Sequence, residues 1–206
     1  MIPLGKPPST LTVAGDERVT ATGAWRSWGS SSGSCATFRE AFRLWAHSNQ
    51  SDRCAYCLLS ITAASHRRAE IDHIVPKAGR YAEWTYEPLN LVLACAECNS
   101  GLKRSYFPLI TPPPSDYAEC SFTIVHPYLD TDRDLHFAGG YLGGTSRPEP
   151  IKGLTPAGRE TIRVFGLFAE GMLNSWRAEY LLARFLETGQ LAGRLGVMEQ
   201  MIEELS

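Results

Sequence analysis

Two Cys-x-x-Cys pairs, Cys54-Ala55-Tyr56-Cys57 and Cys95-Ala96-Glu97-Cys98, constrain this chain more than any other feature. Four thiolates suffice for a closed tetrahedral zinc site, which leaves no coordination position for a substrate and so gives the metal a structural role. A metal held there closes the loop between residues 54 and 98 and fixes the geometry of whatever that loop carries. Six cysteines in a secreted chain could pair as disulfides, but the spacing of these four favours metal binding in the cytosol. Cys35 and Cys120 stand outside the pairs and read as small buried apolar side chains or surface thiols. Alone, the two pairs would fit a zinc ribbon equally well.

Between and just after the pairs lie Glu70-Ile71-Asp72-His73-Ile74-Val75-Pro76-Lys77, then Asn90-Leu91, then Asn99 directly after the last cysteine. Hydrolysis of a phosphodiester needs a base to deprotonate water and a hard divalent cation to stabilise charge on phosphorus and on the departing oxygen. A neutral imidazole suits the first role and oxygen ligands the second. Ile71 to Val75 reads as a short strand stopped by Pro76, Leu91 to Leu93 as a second strand, and Glu97 to Ser105 as a short helix. Neighbours on a strand point to opposite faces, so Asp72 and His73 can share a site only where the strand bends or ends.

This segment resembles the HNH endonuclease family, and the resemblance implies a ββα-metal core. By that resemblance His73 is the general base and Asn90 orients its ring, while Asp72 and Asn99 bind a catalytic Mg²⁺ or Mn²⁺. Asn99 stands where the family's namesake histidine would, and its oxygen donor suits a hard cation. Lys103 and Arg104, on or just after the helix, and Arg67 and Arg68, before the first strand, are candidate phosphate contacts. His47, His66 and His136 have no expected catalytic role.

The chain of 206 residues fits one domain with extensions. Its 44% hydrophobic and 20% charged residues can support a packed core, and its net charge of -2 offers no global attraction to nucleic acid. No apolar run is long enough to cross a membrane and no signal-peptide core opens the chain, so a cytoplasmic protein without membrane association is expected.

The expected class is α+β, with helices flanking the zinc-bearing core. Residues 1–34, rich in Pro, Gly, Ser and Thr, read as a flexible arm, with Trp25 and Trp28 either anchoring on something or packing back on the parent domain. Residues 35–110 form the core, entered by an amphipathic helix over 36–48 with Phe38, Phe42 and Trp45 on one face. Residues 111–150 read as a connector with a strand at Phe122 to Val125 and turns at Gly139-Gly140 and Gly143-Gly144. Residues 151–206 read as helical. Thr155 caps a helix that begins at Pro156 and stops at Gly166, a second helix runs from about Glu170 to Thr188, and a short seam follows at Leu191, Leu195, Met198, Ile202 and Leu205.

A further likeness runs through Ile124-Val125-His126-Pro127-Tyr128-Leu129-Asp130, Gly153-Leu154-Thr155, and Thr161-Ile162 to Gly166-Leu167. These stretches resemble the HNH subunit of Septu-type anti-phage systems and retron-linked HNH nucleases. The resemblance implies an ATPase subunit as partner, a nucleic acid substrate, DNA before RNA, and a role in defence. His126 is expected to order backbone beside the site rather than touch DNA. The competing reading is a zinc-stabilised module that binds nucleic acid or protein without cutting.

Overall fold

The run Leu91-Val92-Leu93-Ala94-Cys95 is apolar without alternation, the pattern of a strand buried on both faces, and every residue of it is buried. It forms β2 (Leu91–Cys95), paired antiparallel with β1 (Ala69–His73) in a register that sets Ala69 against Cys95 and His73 against Leu91. On the opposite edge of β2, Leu93 donates its N–H to Gln50 Oε1 at 2.9 Å, and its carbonyl accepts from the Gln50 amide and from Ala55 N. The strand thus has no open edge at its centre. The computed structural model describes residues 4–62, 65, 67–77 and 81–188, and the seam expected over 191–205 lies outside them.

After β2 the chain winds into the short helix expected there, a π-helix over Glu97–Lys103 that ends two residues before Ser105. Its wide winding appears in the bond from Arg104 N to Asn99 O at 2.8 Å, five residues apart. Hairpin and helix together give the strand, strand, helix order, and the overall class is α+β. Residues Ile74 and Val75, expected to continue β1, leave the ladder in a bend before Pro76 and are fully buried.

Helix α1 (Gly33–Asn49) buries Cys35, Phe38, Phe42 and Ala46, a stripe at steps of three and four that faces the hairpin. Each of its two phenylalanines contributes about 1.5–3 kcal/mol by burial. The segment before it does not behave as a free tail. Leu11 and Val13 are buried, Leu4 N donates to Pro127 O at 2.8 Å, and Arg39 of α1 binds the carbonyls of Trp28 and Ser30. A few apolar side chains suffice to fix a polar segment when a core face is there to receive them, and Trp28 takes the packed alternative while Trp25 remains 45% exposed.

The strand expected over Phe122 to Val125 is absent: only a single bridge joins Phe122 to Leu109. The β-branched residues instead serve the core, Ile124 and Val125 being buried and Val125 N bonding Thr161 Oγ1 at 2.8 Å. A single turn α2 (Arg133–His136) leads into a small hairpin, β3 (Phe137–Gly140) with β4 (Glu149–Gly153), bulged between Ala138 and Gly140. Gly139 and Gly140, expected as a turn, lie within β3 at positive φ.

Helix α3 (Pro156–Val164) is capped by Thr155, whose hydroxyl accepts from Gly158 N at 3.1 Å. It ends where Gly166 adopts φ +59°, with Leu167 N bonding Ile162 O and Gly166 N bonding Arg163 O, the double closure of a Schellman motif. Helix α4 (Glu170–Thr188) then lays Trp176 against the first cysteine pair, its indole N–H donating to Cys57 O at 2.8 Å.

Candidate active site and metal centre

The four paired cysteines are all buried, and one sulfur atom from each lies within 4.8 Å of every other. Cys57 and Cys95 Sγ are 3.9 Å apart, far beyond a disulfide and close to the roughly 3.8 Å edge of a tetrahedron with Zn–S bonds of about 2.3 Å. Hydrogen bonds among the thiols push Cys57 and Cys98 well above the ordinary thiol range and drive Cys95 far below it. Four sulfurs this close cannot all ionise without a cation among them, and the donor set suits a structural zinc. Cys35 and Cys120 are buried as small apolar side chains.

The residue inside the first pair reaches the catalytic segment. Tyr56, stacked on Phe165 at 3.9 Å between ring centroids, donates its hydroxyl to Asp72 Oδ2 at 2.5 Å. The other carboxylate oxygen, Oδ1, accepts from Lys103 Nζ at 2.9 Å, and the same ammonium donates to His73 O at 2.7 Å. Burial pushes the Asp72 carboxyl up, opposed by the Lys103 charge and the Tyr56 hydrogen bond. Lys103 is itself buried, so as folded it is not a surface phosphate contact but the internal counter-ion of Asp72. Its place as the last residue of the π-helix turns it inward.

Asp72 and His73 diverge, as strand geometry requires. His73 turns to the other side, where its Nε2 lies 3.0 Å from Thr85 O and its ring meets Trp28 edge-on at 4.6 Å. A carbonyl only accepts, so Nε2 carries the proton and Nδ1 is the basic nitrogen of the neutral ring. Burial holds the imidazole neutral, its pKa lowered to about 3. The Trp28 contact reveals a second purpose of the N-terminal segment: together with Tyr86, whose hydroxyl binds Ser27 O at 2.6 Å, it walls in the candidate base.

Asn90 makes no hydrogen bond to the His73 ring. Its Oδ1 accepts from Val75 N at 2.7 Å and from the Tyr117 hydroxyl at 2.9 Å, and its amide donates to Val75 O and Trp84 O. It therefore ties Val75 to Trp84 and reaches His73 through the backbone, with Ile74 N bonding Asn90 O at 2.8 Å on one side and Thr85 following Trp84 on the other. Tyr117 also meets the buried His126, whose Nδ1 accepts from Tyr128 N and Leu129 N. His126 thus orders backbone behind the site, as expected, and burial lowers its pKa to about 3.

Asn99 is aimed by Glu70, whose Oε2 accepts from Asn99 Nδ2 at 2.8 Å and from Ser100 Oγ at 2.9 Å. With the amide nitrogen engaged, Oδ1 is the atom left for a cation. Burial disfavours the Glu70 carboxylate, but hydrogen bonds from Arg68, Ser100 and Asn99 outweigh it and hold the carboxyl below its ordinary range. Alternation along β1 places Glu70 and Asp72 on one face, a signal from which the role of Glu70 could have been read.

A cleft of about 270 Å³ gathers Ile71, Asp72, His73, Pro76, Lys77, Asn99, Lys103 and Arg104. It thereby unites Asp72, His73 and Asn99 and leaves Asn90 behind the wall. A larger groove of about 610 Å³ shares Ile71 with it and is lined by Trp28, Arg39, Arg43, Arg68 and Glu70 among others. Arg67 and Arg68 part company: Arg68 lies at this groove, whereas Arg67 lines a separate cleft with Ser60 and Glu179. His47 pairs with Asp52 and His136 with Thr155, away from the cleft, and His66 lies outside the described residues.

The Asp72 carboxylate and the Asn99 amide oxygen, from two residues that line this cleft, are hard donors of the kind that Mg²⁺ or Mn²⁺ takes. No helix among the described residues is long and apolar enough to cross a membrane. Neither the curated proteins nor the solved structures yielded a match to this chain. Residues 54–105 match the family model described as HNH endonuclease, spanning both cysteine pairs, the hairpin and the π-helix. The chain thus carries, at residues 54–105, an HNH endonuclease domain built on a four-cysteine cluster.

Proposed function

We propose that the protein is a metal-dependent endonuclease that hydrolyses phosphodiester bonds of DNA, with His73 as general base. The observation that carries this reading is that Asp72, His73 and Asn99 all line the 270 Å³ cleft, His73 with a buried neutral ring whose tautomer is set by Thr85 O. His73 Nδ1 accepts the proton of the attacking water, while the Nε2 bond to Thr85 O keeps the ring in the required tautomer. Asp72 and Asn99 hold the divalent ion, Mg²⁺ or Mn²⁺, and Tyr56 and Glu70 fix their orientation. When bound, that ion supplies charge stabilisation to the phosphate and the leaving oxygen. Zinc at the four cysteines holds hairpin and helix together.

In this reading Lys77 and Arg104, exposed at the cleft, and Arg39, Arg43 and Arg68 in the adjoining groove meet phosphates on either side of the scissile bond. The resemblance to Septu-type and retron-linked nucleases supports a cytoplasmic role as nuclease effector of an anti-phage complex, with an ATPase as partner. A net charge of -2 supports a partner that supplies much of the DNA affinity. The test is incubation of the zinc-loaded protein with supercoiled plasmid or RNA and Mg²⁺ or Mn²⁺, alone and with the ATPase encoded beside it. Nicking or linearisation supports the reading and identifies the substrate. Inertness in every mixture favours a zinc-stabilised binding module instead.

A further inference from the structure

The Asp72 side chain is 4% exposed and that of Lys103 1%, so the carboxylate read here as a metal ligand already has a cation of its own. A buried carboxylate left unpaired is strongly unfavourable, and here each oxygen already accepts a hydrogen bond, Oδ1 from Lys103 and Oδ2 from Tyr56. The ammonium is fixed by a second bond, to His73 O at 2.7 Å. A divalent ion about 2.1 Å from the same carboxylate would stand roughly 3–4 Å from that ammonium, where like charges in a poorly solvated cleft repel strongly. The two cations would therefore compete for the carboxylate.

We propose that Lys103 is the resident cation of the catalytic cleft and that metal binding is an exchange, the divalent ion taking the place beside Asp72 as the ammonium withdraws. This rests on the reading of Asp72 as a metal ligand. Lysine suits the task because its charge rides on a flexible four-carbon stem, and the cleft that Lys103 already lines offers room for withdrawal. Tyr56 holds Oδ2 throughout, so the carboxylate keeps its orientation while its partner changes. The exchange makes the resting enzyme a weak metal binder, and it discriminates against monovalent ions, whose charge offers no gain over the ammonium.

Two measurements on zinc-loaded protein test this. Mn²⁺ binding, read from the resonance signal of free Mn²⁺, is compared among wild type, Lys103→Met and Asp72→Asn. In parallel, acetylation of Lys103 in wild type and Asp72→Asn is followed by mass spectrometry with and without Mn²⁺, a readout that does not depend on the Lys103 variant folding. The exchange predicts Mn²⁺ binding at least about tenfold tighter in Lys103→Met than in wild type, and loss of the Asp72-dependent site in Asp72→Asn. It also predicts Lys103 protected without Mn²⁺ and labelled with it in wild type alone. Equal or weaker binding in Lys103→Met, or labelling indifferent to bound Mn²⁺, overturns the exchange and leaves Asp72 as a ligand. Absence of any Asp72-dependent Mn²⁺ binding in wild type and Lys103→Met overturns both.

Discussion

Tyr56 shows how much a single side chain can couple. It lies between two candidate zinc ligands, stacks on Phe165 and donates to Asp72, so one side chain connects the cysteine cluster to the candidate metal-binding carboxylate. Replacing it by Phe keeps the stacking and removes only the hydroxyl, and is expected to cost about 1–3 kcal/mol in unfolding free energy. It should also lower the cleavage rate while zinc content stays unchanged. Urea unfolding and metal analysis of Tyr56→Phe check this. The buried histidines give a second prediction. His73 and His126 are held neutral with pKa values of about 3 against about 6.5 when unfolded. Only the unfolded state takes up protons between those values, so stability is complete above pH 6.5 and falls as pH is lowered toward 3. Each histidine should cost about 1.4 kcal/mol at pH 5.5. The drop between pH 7.5 and 5.5 should therefore be smaller in His126→Gln than in wild type, and an equal drop would show that His126 is not the source.

At the scale of elements, what was legible in the sequence was what neighbouring residues decide. The cysteine pairs announce their cluster by spacing, and the start and stop of α3 follow from the local capping chemistry of Thr155 and Gly166. Illegible were the partners supplied from far along the chain: Trp28 and Thr85 for His73, and Tyr117 for Asn90. Phe122 to Val125 misled because β-branched residues that fill a core look the same in sequence as those that pair in a sheet. Lys103 misled because its place on the helix was read as reach toward a phosphate, whereas its ammonium is taken up by Asp72 and His73 O. The two cysteine pairs are joined to each other through β2, by Ala55 N on Leu93 O, so the zinc site and hairpin should be one folding unit. Chelating the metal should therefore lower the melting temperature and abolish cleavage, and adding Zn²⁺ back should restore both. A melting curve indifferent to chelation, in protein verified to have lost its metal, would contradict the structural role.

For the whole molecule, the N-terminal segment matters more than its composition suggests. It contributes Leu11 and Val13 to the core and closes one side of the candidate base with Trp28. Removing residues 1–32 should hydrate His73 and raise its pKa from about 3 toward the ordinary value. Proton resonance titration of the imidazole measures that shift, and an unmoved resonance would show that the hairpin alone buries the ring. The charge of the molecule bears on partners rather than on chemistry. At a net -2, phosphate contacts depend on the local arginines of the cleft and groove or on a second subunit.

The central claim is that His73 is the base of a metal-dependent nuclease. Its most direct test is cleavage of plasmid DNA by zinc-loaded wild type and His73→Ala side by side, in Mn²⁺, with and without the proposed ATPase partner. The account predicts a loss of about 10²–10⁴-fold in rate for the variant with zinc content and melting behaviour preserved. Equal rates in the two proteins would contradict it.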